Sequence, residues 1–145
     1  MSSLTLRPLV TADMPTMQRI YAPYVTGTTV SFETQPPDVE TLTHRMEALE
    51  GVFPKIACEQ DGEMIGYAYA GRLGVRAAYH GSATGGIYVE RNCRRTGAGR
   101  ALYTALAALL KAQGYCTLYA LISHPSPDSE AFHERMGFVR QGLLE

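Results

Sequence analysis

Arg94-Arg95-Thr96-Gly97-Ala98-Gly99, running directly into Arg100-Ala101-Leu102-Tyr103, is the stretch on which the reading of this 145-residue chain turns. Upstream, Gly86 to Glu90 is β-prone. Downstream, Ala98 to Ala112 carries the strongest helical periodicity in the chain, with Leu102, Leu106, Leu109 and Leu110 expected inward and Gly114 as the C-terminal stop. Strand, glycine loop and helix N-terminus in that order aim unsatisfied N–H groups and the positive end of the helix dipole at one point, which suits a pyrophosphate. Gly97 and Gly99 let the backbone approach an oxyanion with no Cβ in the way. Arg94 and Arg95, with Arg91 and Arg100 nearby, add charge-assisted hydrogen bonds.

The rest of the chain reads outward from this unit as one domain over residues 1–145, with no repeat or linker. Leu4 to Leu9 alternates as a strand. Thr11 is the expected N-cap of a helix reaching Tyr24, with Met14, Met17, Ile20, Tyr21 and Tyr24 as core. Thr28 to Phe32 is β-prone. Pro36-Pro37 opens a second helix with Val39, Leu42, Met46 and Leu49 on one face. Lys55 to Glu59 and Met64 to Ala70, joined through Asp61-Gly62, form a hairpin signal. Thr117 to Ile122, Asp128 to Met136 and Phe138 to Leu143 follow as strand, helix and strand. The class is mixed α/β, an α+β arrangement on a mixed sheet, with hairpins early and a right-handed crossover late.

Thirteen Lys+Arg against fourteen Asp+Glu give a net charge of −1. That balance argues against nucleic acid as the main partner. Of the cations only Lys55 and Lys111 are lysine, and arginine is the better fork for phosphate and carboxylate. Three cysteines, Cys58, Cys93 and Cys116, with no CxxC spacing fit a reduced cytoplasmic chain and no metal site. The longest apolar run, Ala105 to Leu110, is too short to cross a bilayer, so no membrane partner is expected.

Three phosphate loops compete for the glycine segment. A dinucleotide fingerprint needs a third glycine where Leu102 stands and an acidic residue on the following strand, which Thr117 to Ile122 lacks. A Walker loop needs Gly-Lys-Ser/Thr, and no lysine is near. The remaining pattern, R/Q-x-x-G-x-G/A, resembles the coenzyme A loop of the GNAT N-acetyltransferase superfamily, position by position. The alternative is an Arg-rich solvated turn with a glycine cap.

The resemblance runs nearly the whole length and is nearest to the phosphinothricin N-acetyltransferase-like branch. It is carried by Leu6-Arg7-Pro8, Ala12-Asp13-Met14-Pro15, Phe32-Glu33-Thr34, Gly66-Tyr67-Ala68-Tyr69-Ala70-Gly71, Arg76-Ala77-Ala78-Tyr79, Ile87-Tyr88-Val89 and Phe132-His133-Glu134-Arg135-Met136-Gly137-Phe138. It implies the GNAT acyl-CoA N-acyltransferase fold, with strands splayed at the cofactor and, against relatives that continue further, the last C-terminal strand lacking. It implies acetyl-CoA as co-substrate, no metal, and transfer to an amine by direct attack. The pantetheine arm would add as a pseudo-strand to Ile87, Tyr88 and Val89. The pyrophosphate would meet Arg94, Arg95, Thr96, Gly97, Ala98, Gly99 and Arg100. Gly85-Gly86 fits either a bulge freeing an N–H for the oxyanion or a flexible strand entrance. Arg76 and Tyr79 would clamp the substrate carboxylate, against a wall of Phe32 and Glu33. A homodimer in the cytoplasm is the expected assembly.

Three departures from the branch matter. Thr84 stands where a glutamate is expected, and a hydroxyl can hold a water but cannot act as a base. His80 and His133 are then the proton-handling candidates, and His124 faces the same cleft. Ser126 replaces an asparagine that touches the pantetheine. The chain also stops at Glu145, where relatives add a strand. The expected function is acetylation of a small amino-acid-like amine of the phosphinothricin or methionine sulfone/sulfoximine type. The alternatives are a non-catalytic CoA-binding module and a protein N-terminal or lysine acetyltransferase.

Overall fold

The computed structural model describes residues 4–26, 35–72, 82–90, 93, 96–120 and 127–139. Five strands form one sheet in the order β1 (Leu4–Pro8), β2 (Lys55–Gln60), β3 (Glu63–Arg72), β4 (Ser82–Val89) and β5 (Thr117–Tyr119). The first four pair antiparallel, while β4 and β5 are parallel. The β2–β3 turn forms because Asp61 (φ 55) and Gly62 (φ 83) both take the left-handed conformation that tight hairpins need. The expected class, mixed α/β on a mixed sheet with an early hairpin, is the one observed.

Helices α1 (Met14–Thr26) and α2 (Val39–Glu47) cover one face, α3 (Ala98–Ala112) and α4 (Pro127–Arg135) the other. Strand alternation divides the side chains. Ala57 and Tyr67 join Met14, Met17, Ile20, Leu42 and Met46 beneath α1 and α2. Ile56, Cys58, Ala68, Ala70 and Ala83 join Leu102, Leu106 and Leu110 beneath α3. The alanines on that side bring α3 close to the strands.

Several sequence expectations are corrected. Thr11 does not cap the first helix: residues 11–13 form a separate 3-10 turn with Val10 as its N-cap, and the Asp13 carboxylate reaches back to accept the Val10 N–H at 2.8 Å. Asp13 is also held bidentately by Arg7 at 2.7 and 2.8 Å, and the Arg7 Nε reaches Glu59 at 2.9 Å. That network ties the end of β1 to β2. Val39 and Leu109 are exposed. Tyr103 completes the inward stripe of α3, leaving Leu109 at its edge. Asp38, one residue after the two prolines, supplies the α2 cap by accepting the Thr41 N–H at 2.8 Å.

β4 begins at Ser82, four residues before the expected start, because it is held on both sides there by Arg72–Gly71 of β3 and Thr117–Tyr119 of β5. The ladder with β3 continues through Gly85 and Gly86 with no register shift, so the strand carries no bulge against β3 at that pair. Gly85 answers a packing demand, since a Cβ there would lie 2.9 Å from Leu118 Cδ1 and 3.2 Å from Leu106 Cδ2. Phe138 and Val139 are irregular where a last strand was expected to begin. The remainder of that strand, and the strand expected at Thr28 to Phe32, lie outside the described residues.

Candidate active site

The site is built on the second half of β4. Parallel pairing with β5 covers only Ser82, Ala83 and Thr84. From Ile87 to Val89 no strand pairs with that side of β4 among the described residues, whereas the β3 side is paired throughout. The ladder phase decides which backbone groups face the gap. Ala70 N–H bonds Pro54 on the β2 side, and Glu90 N–H bonds Ile65 at 2.7 Å. Hydrogen-bonded pairs alternate in an antiparallel ladder. Gly86 and Tyr88 therefore turn their backbone groups to β3, and Gly85, Ile87 and Val89 turn theirs to the gap. Tyr88, expected to offer its backbone to a cofactor, turns those groups to β3.

One gap-facing acceptor is already engaged, because the Tyr24 hydroxyl of α1 donates to the Val89 carbonyl. Next to it, Arg19 of α1 holds Glu90 at 2.7 Å. The Tyr88 ring packs edge-on against Tyr21 and Tyr24, with centroids 4.8 and 5.4 Å away, and Tyr67 completes the group. Burial pushes the Tyr88 and Tyr67 phenols well above the ordinary range. Tyr67 and Tyr88 stay neutral, and the ring group packs α1 against the end of β4.

At the N-terminus of α3, Gly97 is the N-cap in the left-handed conformation (φ 89), which explains why glycine is required there. Thr96 forms a bridge of its own, with its hydroxyl donating to the Cys93 carbonyl at 2.8 Å and accepting the Ala98 N–H at 3.3 Å. Ala98 is fully buried by its side chain. The first intrahelical bond is Ala101 N–H to Gly97 O, so the amides of Gly99 and Arg100 are the first-turn donors left for an anion. Gly99 does not open space toward such an anion. A Cβ at that residue would point into the protein, 3.0 Å from the Phe132 ring and 3.4 Å from Ile87 Cδ1.

On α4, His133 is buried, and its Nε2 lies 2.8 Å from the Tyr103 hydroxyl of α3. Tyr103, Phe132 and Phe138 surround the imidazole with ring centroids 5.2–5.4 Å away. Burial raises the Tyr103 phenol above its ordinary value. Tyr103 also lies 3.6 Å from the place a Gly85 Cβ would occupy, which sets the pair beside β4. Thr84 is on the opposite face, directly across from Gly71 on β3. His133 and Thr84 are therefore on different sides of the sheet.

Sequence reasoning did not single out Tyr103, Phe132 or Tyr24 as site residues. A tyrosine within an otherwise Leu and Ala stripe was the available signal for Tyr103. His80, Arg94, Arg95, Ser126, Phe32, Glu33, Arg76, Tyr79 and His124 lie outside the described residues. A depression of about 540 Å³ between the 3-10 turn, α2 and the start of β2, lined in part by Val10, Met46, Glu47 and Lys55, holds none of the expected site residues. No cluster of metal-ligating side chains occurs among the described residues, and no helix there is long and apolar enough to cross a membrane.

Comparison with known proteins bears on this geometry directly. Residues 6–144 match the family described as the acetyltransferase (GNAT) domain. A phosphinothricin N-acetyltransferase of Streptomyces viridochromogenes is 33% identical over 139 residues, 96% of this chain and 76% of that protein. An L-methionine sulfoximine/L-methionine sulfone acetyltransferase of Pseudomonas paraeruginosa is 29% identical over 144 residues, 98% of this chain and 84% of that one. A crystal structure of a phosphinothricin acetyltransferase from Sinorhizobium meliloti in complex with acetyl-CoA superimposes with a TM-score of 0.91 at 32% identity, over 96% of this chain and 76% of that one. A near-complete family match, relatives above 30% identity and a solved relative of the same fold give one conclusion: the chain belongs to the GNAT acetyltransferase family and is an N-acetyltransferase.

Proposed function

We propose that this enzyme transfers acetyl from acetyl-CoA to the α-amine of a small amino-acid-like compound, of the phosphinothricin or methionine sulfone/sulfoximine type, by direct attack. The observation that carries the reading is the meeting, at the second half of β4, of a strand edge with no partner among the described residues, the N-terminus of α3 and the buried His133–Tyr103 pair. The residues fit the cofactor. Ile87 offers an N–H and a carbonyl, and Val89 an N–H, in the spacing by which an amide-bearing arm adds to a strand. The amides of Gly99 and Arg100 and the dipole of α3 suit a pyrophosphate, with Arg94 and Arg95 proposed to supply charge.

Acetyl-CoA supplies the activated acetyl group as a thioester. As the nitrogen–carbon bond forms and the carbon–sulfur bond breaks, one proton must leave the amine and one must reach the sulfur. His133 is suited to hold such a proton at Nε2. Tyr103, kept a neutral phenol by burial, donates to Nε2 when the imidazole is neutral and accepts from it when Nε2 carries hydrogen, so the contact persists in both states. Thr84, on the α1 face, is proposed to orient a water toward the amine, and His80 is the second imidazole candidate. Arg76 and Tyr79 are proposed to hold the substrate carboxylate, with Phe32 and Glu33 as the opposite wall.

Release of CoA across a panel of amino acids, phosphinothricin and methionine sulfone tests the assignment, in the parent and in Arg76→Ala and His133→Ala. The expected result is turnover on one of the amino-acid analogues, a raised KM for it in Arg76→Ala, and a fall in kcat of about 10²-fold or more in His133→Ala. Acetyl transfer to peptide N-termini or lysines, with none to the small amines, would overturn the substrate class.

A further inference from the structure

The two glycines of the Gly97-Ala98-Gly99 loop are under different constraints. Gly97 needs its backbone conformation, with φ 89 and, among the described residues, Leu4 Cδ1 alone near its vacant Cβ position, 3.9 Å away. Gly99 sits inside α3, where any residue fits the backbone, and its demand is space: a Cβ would lie 3.0 Å from Phe132 Cζ, 3.2 Å from Phe132 Cε1 and 3.4 Å from Ile87 Cδ1. The R/Q-x-x-G-x-G/A pattern itself admits alanine at this place. The requirement for glycine in this chain therefore comes from its own neighbour, Phe132.

That neighbour is not a flexible side chain that can swing aside. The Phe132 ring meets the His133 imidazole edge-on (centroids 5.4 Å, 87°) and stacks on Tyr103 (6.0 Å, 26°). Tyr103 in turn bonds His133 Nε2 at 2.8 Å. Rings in close-packed surroundings transmit displacement instead of absorbing it. A methyl at residue 99 would require Phe132 to give by a few tenths of an ångström, against the two rings proposed to handle the proton, while leaving the Gly99 amide in place for an anion.

We propose that Gly99 is a positioning residue for His133, acting through the Phe132 ring, in place of the phosphate-approach role its motif suggests. The inference rests on the reading of His133 as the group that handles the proton. It makes the loop that would hold the cofactor and the helix that carries the imidazole a single packed unit, joined at Gly99, Ile87 and Phe132.

The test compares Gly99→Ala, Gly97→Ala, Phe132→Leu, His133→Ala and the double variant Gly99→Ala/Phe132→Leu in the full chain, with CoA affinity by calorimetry and steady-state kinetics. Gly99→Ala is expected to lower kcat about tenfold with the CoA Kd and the acetyl-CoA KM within about twofold of the parent, because it disturbs geometry at the reacting end and not binding. Gly97→Ala should do the reverse. In the Phe132→Leu background, where the smaller, flexible side chain can yield, Ala at 99 should cost less than twofold in kcat. The melting temperature of each variant separates lost folding from lost chemistry. The inference is overturned when His133→Ala loses kcat but Gly99→Ala keeps it, when Gly99→Ala acts through the CoA Kd alone, or when its cost in kcat is the same with Leu at 132. Full kcat in His133→Ala overturns the underlying reading instead, and the inference with it.

Discussion

The two faces of the sheet are packed by different chemistries. Beneath α3 lie Ala68, Ala70, Ala83, Leu102, Leu106 and Leu110, small or aliphatic groups that let the helix sit close. Beneath α1 the methionines and Ile20 give way, toward the end of β4, to Tyr21, Tyr24, Tyr67 and Tyr88. The close face brings a helix N-terminus and a buried imidazole to the strand edge. The tyrosine face fixes that edge from the other side, through a hydroxyl on Val89 and an ion pair on Glu90. One face thus carries the proposed cofactor-binding geometry and the other holds the strand on which that geometry would depend.

This contrast is broken most strongly at the close face. Leu102 is fully buried and its Cδ1 reaches the backbone of β3, 3.3 Å from where a Gly66 Cβ would be, and a strand backbone does not move in to fill the space it leaves. Leu102→Ala is expected to lower unfolding free energy by about 3–4 kcal/mol in urea denaturation. Met17, equally buried under α1, is surrounded by other flexible methionines, Met14 and Met46 among its cluster. Met17→Ala is expected to cost less, about 2–3 kcal/mol. Equal losses would remove the argument that the two faces differ in their tolerance of rearrangement.

A smaller effect separates the faces by pH. The Asp13 carboxyl, behind α1, is held below the usual carboxylate range first by its hydrogen bonds from Arg7, against the opposing cost of burial. A carboxyl depressed in the folded state contributes stability that is complete above its unfolded pKa of about 3.9 and is lost as pH falls through the folded value. Asp13→Asn keeps the shape, loses the charge-assisted pair, and is expected to be less stable by about 2 kcal/mol at pH 7. The gap to the parent should narrow as pH falls through the acid range. A constant gap down to acid pH would place the stabilisation elsewhere than in the ionised carboxylate.

Much of the close face was legible in the sequence because its signals are local. Leu102, Leu106 and Leu110 recur at helical spacing, Gly97 and Gly114 mark the two ends of α3, and Asp61-Gly62 declares its hairpin. What was hidden depends on contacts between segments far apart in the chain. Gly99 reads as a phosphate glycine until Phe132, from α4, is seen against it. Thr84 and His133 both read as catalytic candidates, but which face of the sheet each occupies emerges only from strand alternation and the packing of α4. Gly85-Gly86 reads as either a bulge or a flexible strand entrance until the unbroken ladder with β3 and the approach of Leu118 and Leu106 to Gly85 are seen. Tyr88 sits inside a cofactor-like stretch, but the phase of its ladder is set by Ala70 and Pro54, which no local pattern around Tyr88 reveals.

The smallest expected effect falls on the junction of the two faces, at Tyr24. Tyr24→Phe preserves the ring against Tyr88 and removes only the hydroxyl that donates to the Val89 carbonyl. That carbonyl faces the gap beside β4, where water can replace the lost donor, so the cost to stability should be about 0.5–1 kcal/mol. The functional consequence has a sign as well. With the hydroxyl in place, Val89 contributes mainly its N–H to an incoming amide arm, and Ile87 contributes both groups. Freed, the Val89 carbonyl becomes a second acceptor one strand-period further along, and the arm gains an alternative register. Tyr24→Phe is therefore expected to weaken CoA binding by a few-fold in calorimetry while leaving kcat at saturating acetyl-CoA near the parent value. Tighter CoA binding in that variant would mean that the hydroxyl competes with the arm for Val89, and that the tyrosine face restricts the edge it supports.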